Sequence, residues 1–186
     1  NMNEGTVKNT ITFYNFGSVG QNEIDNIVGT YSYSDVIFPK VEFLTNDVMV
    51  AFGDEEAIIF EGTQKPQVKK EISLKQEIHS IFYNEAYIGF VFNNDNEKET
   101  YRISVYNLRG TEEMTQNLDM NYSEVGFLEN DEICVRNELE CSIYNLKGKR
   151  KFHSNFEKSI WKVFSTKNST EYIFMMDKET QKVRLK

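Results

Sequence analysis

The chain has 186 residues, with 21 Lys and Arg against 29 Asp and Glu, giving a formal net charge of −8. Aromatic residues at 13 % exclude a disordered chain, which cannot bury enough apolar area to offset its ordering entropy. No apolar run approaches the ~18 residues that cross a membrane as a helix. The acid surplus argues against nucleic acid as a partner, and two cysteines exclude a disulfide framework.

In chain order, residues 1–10 read as a tail and 11–186 as one β-rich domain. Ile11-Thr12-Phe13-Tyr14 is a strand, and 11–17 matches segments that close later repeats. Asn22 to Val28 is the best helical candidate and makes barely two turns; no segment sustains a period of 3.6. Tyr31 and Tyr33 alternate with serine, so they share one face of a strand. Val48-Met49-Val50-Ala51, Ala57-Ile58-Ile59-Phe60, Tyr87 to Phe92, Arg102 to Tyr106 and Tyr172 to Met175 are short, rich in β-branched and aromatic residues, and bounded by Gly, Asn and Asp.

The chain also repeats itself. Val41-Glu42-Phe43-Leu44-Thr45-Asn46-Asp47 matches Val125-Gly126-Phe127-Leu128-Glu129-Asn130-Asp131 without a gap. The match continues with Val50 on Cys134 and Ala57 on Cys141. Tyr106-Asn107-Leu108-Arg109-Gly110 matches Tyr144-Asn145-Leu146-Lys147-Gly148. The closing aromatic recurs at Tyr14, Phe60, Tyr106 and Tyr144, with Arg184 in the same phase, at spacings of roughly 40–50 residues, the length of a propeller blade. Gly53 and Asn137 are expected at the first position of two-residue hairpin loops, where φ is positive. The spans 24–66, 68–110, 122–150 and 158–186 are therefore read as about four small antiparallel blades of an all-β, β-propeller-type fold. Strand 11–17 completes another blade, and the chain is read as the C-terminal part of a larger propeller. Uncapped blades expose their stacking faces, so a homodimer through open blade faces is expected of such an arc.

The segments Tyr14-Asn15-Phe16, Ile37-Phe38-Pro39-Lys40-Val41-Glu42-Phe43-Leu44, Asn84-Glu85-Ala86-Tyr87-Ile88-Gly89, Val105-Tyr106-Asn107-Leu108-Arg109-Gly110 and Val183-Arg184-Leu185-Lys186 carry a resemblance. Together they resemble a family of Gram-positive bacterial proteins known only as a domain of unknown function. The resemblance implies an N-terminal membrane anchor preceding a propeller-like extracellular region, and so a location on the outer side of the cell membrane. It implies no catalytic residues.

Candidate chemistry is sparse. There is no P-loop, dinucleotide fingerprint, G-x-S-x-G or zinc pattern, and no catalytic, cofactor-binding or metal residue is assigned. His79 and His153 stand far apart and read as strand residues. Asn93-Asn94-Asp95-Asn96-Glu97 offers oxygen ligands but reads as a solvated hairpin loop. Lys147-Gly148-Lys149-Arg150-Lys151 is a basic turn, and Trp161 reads as core. Asn121-Tyr122-Ser123 and Asn168-Ser169-Thr170 match the glycosylation pattern, which matters only in a eukaryotic secretory context. Cys134 and Cys141 are placed directly opposite each other across the hairpin. They read as two buried thiols, with a cross-strand disulfide as the alternative. Tyr31 and Tyr33 read as packing between blades, with stacking on a sugar or peptide ligand as the alternative.

The reading that follows is a non-catalytic binding or scaffolding module at the bacterial cell surface, with a protein, peptide or cell-wall glycan as partner. One alternative is a propeller hydrolase or lyase whose groups converge from several blades, with Asp47, Glu85 and Asp131 as candidates. Another is a structural or sensor ectodomain.

Overall fold

A computed structural model describes residues 8–15, 26–96, 98–168 and 170–185. The tail up to residue 7, most of the helical candidate at 22–28, Glu97 and Ser169 lie outside the described residues. The chain divides into two compact units, Asn1–Glu77 and Ile78–Lys186.

In the first unit, β1 (Lys8–Tyr14) pairs antiparallel with β2 (Ile27–Ser34). Beside them lies a four-stranded sheet of β3 (Lys40–Phe43), β4 (Val48–Phe52), β5 (Glu56–Glu61) and β6 (Gln67–Ser73), in that order. The second unit holds three more sheets. One is β7 (Ser80–Tyr83), β8 (Tyr87–Asn96), β9 (Glu99–Asn107) and β10 (Glu112–Leu118). The next is β11 (Glu124–Phe127), β12 (Ile133–Arg136), β13 (Glu140–Tyr144) and β14 (Arg150–Asn155). The last has three strands, β15 (Ile160–Ser165), β16 (Glu171–Met176) and β17 (Glu179–Arg184). Every sheet is an antiparallel meander in chain order, which is how a propeller blade is built. No α-helix occurs among the described residues.

The three four-stranded sheets sit later in the chain than the spans read from sequence, while β15–β17 fall within 158–186. Strand β2 pairs with β1, and β6 pairs with β5, so the sheets run Lys40–Ser73 and Ser80–Leu118. The third extends to Asn155, past 150. Fourth strands such as β6 and β14 are largely polar and exposed, and offer little apolar alternation to read. Strand 11–14 closes no later sheet: within 8–14 it pairs with β2.

Middle strands are buried on both faces, as stacked sheets require. All five residues of β4 are buried, and Ala57, Ile58, Ile59 and Phe60 of β5 are fully so. In the second unit, Phe82, Val91, Ile103 and Val105 meet Ile133, Val135 and Tyr144 in one core. On the other face of the same middle sheet, Cys134, Cys141 and Ile143 meet Ile160, Val163, Tyr172 and Phe174.

Two turn chemistries explain the repeated motifs. In Tyr106-Asn107-Leu108-Arg109-Gly110, the Asn107 Oδ1 accepts from the amides of Arg109 (2.9 Å) and Thr111 (3.1 Å), and Gly110 takes φ +73°. Asn145 and Gly148 repeat the arrangement, with φ +76° at Gly148. Asparagine caps the turn and glycine supplies the left-handed residue of the bulge.

The β12–β13 hairpin corrects an expectation. Its closing pair is Asn137 with Glu140, because Asn137 Oδ1 accepts from the amides of Leu139 (3.0 Å) and Glu140 (2.9 Å). Neither Asn137 nor Gly53 has a positive φ. The register therefore slides by two residues: Cys134 faces Ile143 and Cys141 faces Arg136. The two cysteines are diagonal neighbours rather than direct opposites.

Candidate functional site

A cleft of about 610 Å³ opens in the second unit beside Gly126. Strand β11 starts the third sheet in the repeat phase of β3, and Gly126 stands where β3 has Glu42. Gly126 pairs with Cys134, and a Cβ at position 126 would meet no heavy atom within 4 Å. The missing side chain leaves a hollow whose floor is Cys134, Leu128 and Val163.

Four segments wall the hollow. The β7–β8 turn supplies Asn84, Glu85 and Ala86; the β11–β12 turn supplies Glu129 and Asp131; and Arg136 and Lys162 come from β12 and β15. Asn84 Oδ1 holds its own turn by accepting from Ala86 N (2.9 Å) and Tyr87 N (2.8 Å). Its Nδ2 donates to Asp131 Oδ1 at 2.7 Å and ties the two turns together. Asp131 sits at φ +62°, a left-handed position that aspartate tolerates. Arg136 donates to the carbonyls of Ile160 (2.7 Å) and Trp161 (2.8 Å) and pairs with Glu124, joining the last two sheets at the rim.

Burial alone would raise the Glu129 pKa. Backbone amides, the Ser165 hydroxyl at 2.9 Å and Lys162 outweigh it and hold the carboxyl below its ordinary 4.5. A lowered folded-state value adds stability above the unfolded pKa, which is lost as pH falls through the folded one. In Glu129→Gln, melting temperature therefore falls less steeply with acidification below about pH 4.5 than in the unaltered chain, as thermal melts across a pH series would show.

The cleft absorbs part of the sequence reading. Glu85 and Asp131 line it, while Asp47 belongs to the first unit, where Thr45 Oγ1 donates to it at 2.7 Å in a turn. Tyr31 and Tyr33 share a face and are half-buried. Tyr31 packs on Phe60 with centroids 5.2 Å apart and donates to the Pro66 carbonyl at 2.8 Å; Tyr33 packs on Phe38 at 5.1 Å. Burial, then Glu71, Tyr31 and Glu56, push the Tyr33 phenol up to about 12. Trp161 corrects the expectation of a core residue. The β-bulge between Ile160 and Lys162 turns it outward, and it is 60 % exposed. Asn93 to Asn96 continue strand β8 instead of forming a loop.

Nucleophilic chemistry has one further arrangement to consider. Ser142 Oγ lies 2.9 Å from His153 Nδ1, and His153 Nε2 lies 3.8 Å from Glu140. Ser142 is 0 % exposed, so no substrate reaches it, and the contact is a cross-strand hydrogen bond between paired residues. Among the described residues, no three His, Cys, Asp or Glu side chains could hold a metal ion. Nothing in the sequence marks the hollow except the exchange of Glu42 for Gly126 between the two copies, a difference legible only by aligning them.

The model of a family of unknown function, DUF5711, matches residues 1–185. No curated protein matches the chain. Among solved structures, the chain is similar to BBS1N crystallised in complex with ARL6DN, with TM-score 0.51 and 9 % identity over 86 % of this chain and 54 % of that one. It is also similar to the WD40 beta propeller domain of Doa1, with TM-score 0.48 and 13 % identity over 83 % and 52 % of the two chains. The chain thus spans about half the length of these two structures. The fold class is the one read from the repeats: all-β and propeller-type, built of small antiparallel sheets.

Proposed function

We propose, for a chain that belongs to the family of unknown function DUF5711, a non-catalytic binding module whose docking place is the hollow at Gly126. The observation that carries the reading is the coincidence of that hollow with a sheet edge. Strand β11 ends its sheet, with β12 as its only strand partner among the described residues. An extended polypeptide added along such an edge gains backbone hydrogen bonds, while a pocket beside it selects the side chain that enters. Glu85, Glu124, Glu129 and Asp131 outnumber Arg136 and Lys162 around the hollow. The guest side chain that suits this wall is basic, because opposite charges steer and orient a partner. A cell-wall glycan is the competing partner. A location on the outer face of a bacterial membrane, behind an N-terminal anchor, rests on the family resemblance described for the sequence.

Selection of a random peptide library on the chain tests the reading. Enriched peptides should carry Lys or Arg, and their affinity should fall roughly tenfold or more in Gly126→Glu, which puts into the hollow the side chain that the first copy carries at Glu42. Peptides that bind Gly126→Glu equally well, or a selection that enriches no basic peptide, would contradict it.

A further inference from the structure

The floor of the hollow is chemically unlike its counterpart. In the first copy the equivalent positions are Glu42, Val50 and Ala57; here they are Gly126, Cys134 and Cys141. The hairpin register is the same in both, Val50 facing Ile59 as Cys134 faces Ile143. The opening and the two thiols therefore occur at one place and are absent together from the other copy. Both cysteines are free, and their sulfurs lie 3.6 Å apart on one face of the hairpin. Cys134 is 8 % exposed and lines the hollow, whereas Cys141 is 0 % exposed behind it.

We propose that Cys134 and Cys141 form a reversible, redox-sensitive disulfide, reached by small oxidants through the hollow that Gly126 opens. The oxidant is a low-molecular-weight disulfide, RSSR. The Cys134 thiolate attacks one of its sulfurs, forming a mixed disulfide and releasing RS⁻, which takes up the proton Cys134 lost. Cys141 then loses its proton and attacks the Cys134 sulfur, forming the Cys134–Cys141 bond and expelling a second RS⁻. Two thiols are oxidised and one RSSR is reduced to two RSH. The hydrogen bond with Cys134, and then burial, push the Cys141 thiol well above its ordinary value. That leaves Cys134 to react first and Cys141 to resolve. Cys134 and Cys141 are diagonal rather than directly opposed in the hairpin register, a placement that strains a bridge, and a strained bridge is readily reduced. Arg136 faces Cys141 in the register, so the bridge also bears on the rim contacts that Arg136 makes with Ile160 and Trp161.

The test is to incubate the folded chain with oxidised glutathione and then measure intact mass and titratable thiols after denaturation. The expected product has lost two hydrogens and both thiols, carries no glutathione, and is restored by dithiothreitol. Cys141→Ser should stop at a single glutathione adduct on Cys134, and Cys134→Ser should stay unmodified. Gly126→Leu, checked for folding by circular dichroism, should oxidise roughly tenfold more slowly. Two thiols still titratable in the unaltered chain would overturn the proposal. So would a stable mixed disulfide in that chain, or equal modification of Cys134→Ser and Cys141→Ser.

Discussion

Gly89→Ala is expected to destabilise the chain by about 3 kcal/mol, the upper end of the usual cost of overpacking a core. Gly89 lies on β8 directly opposite Phe82 of β7, and the Phe82 ring covers it. A Cβ at position 89 would stand 2.1 Å from Phe82 Cζ and 2.3 Å from Cε1, far inside any tolerable contact. The ring cannot swing away cheaply. Phe82 is 5 % exposed, packs on Phe127 with centroids 4.9 Å apart, and belongs to the core that joins two sheets of the second unit. Shrinking the ring should relieve the clash, so Phe82→Leu costs less in the Gly89→Ala background than alone. Urea denaturation of the two single variants and the double variant measures that coupling. Additive costs would show that the ring does not sit on the glycine.

A second large effect is expected at the buried carboxylate. Glu132 is 7 % exposed; it pairs with Lys151 and accepts from the Tyr172 hydroxyl at 2.6 Å, linking the last two sheets. Desolvating such a pair cancels much of its attraction, but removing one partner leaves a charge in a place that water does not reach. Lys151→Met is therefore expected to cost about 3 kcal/mol. Adding Glu132→Leu and Tyr172→Phe, which removes the orphaned charge and then its hydroxyl donor, should recover most of the loss to within about 1 kcal/mol. Denaturation midpoints at neutral pH compare the three proteins. If the triple variant is less stable than Lys151→Met alone, the cluster contributes through its charges rather than merely tolerating them.

Sequence patterning reached the architecture further than the site. Glycine, asparagine and aromatic residues recurring at blade length locate the turns and middle strands, because those positions are constrained by backbone conformation and by burial on both faces. The outer strands carry less of this signal. Strand β6 reads Gln67-Val68-Lys69-Lys70-Glu71-Ile72-Ser73, with charged residues that satisfy solvent and leave no alternation to follow. Register depends on one side chain: Asn137 caps its turn through Oδ1, which moves the loop by one residue and the cysteine pairing by two relative to the pattern of apolar residues. Alternation with serine puts Tyr31 and Tyr33 on one face as packing residues, and their rings lie against Phe60 and Phe38. The hollow is made by an absent side chain at Gly126, and composition and motif carry no signal for an absence. Only the comparison with Glu42 does.

Hydrogen–deuterium exchange with and without a peptide selected on the chain addresses the central claim, that the hollow and the β11 edge are where this module binds. Slower exchange at the amides of Val125 to Leu128, together with the Asn84 to Ala86 turn, is the result this account predicts. Protection that leaves β11 unchanged and falls instead on the paired strands β1 and β2 around Tyr31 and Tyr33 would contradict it.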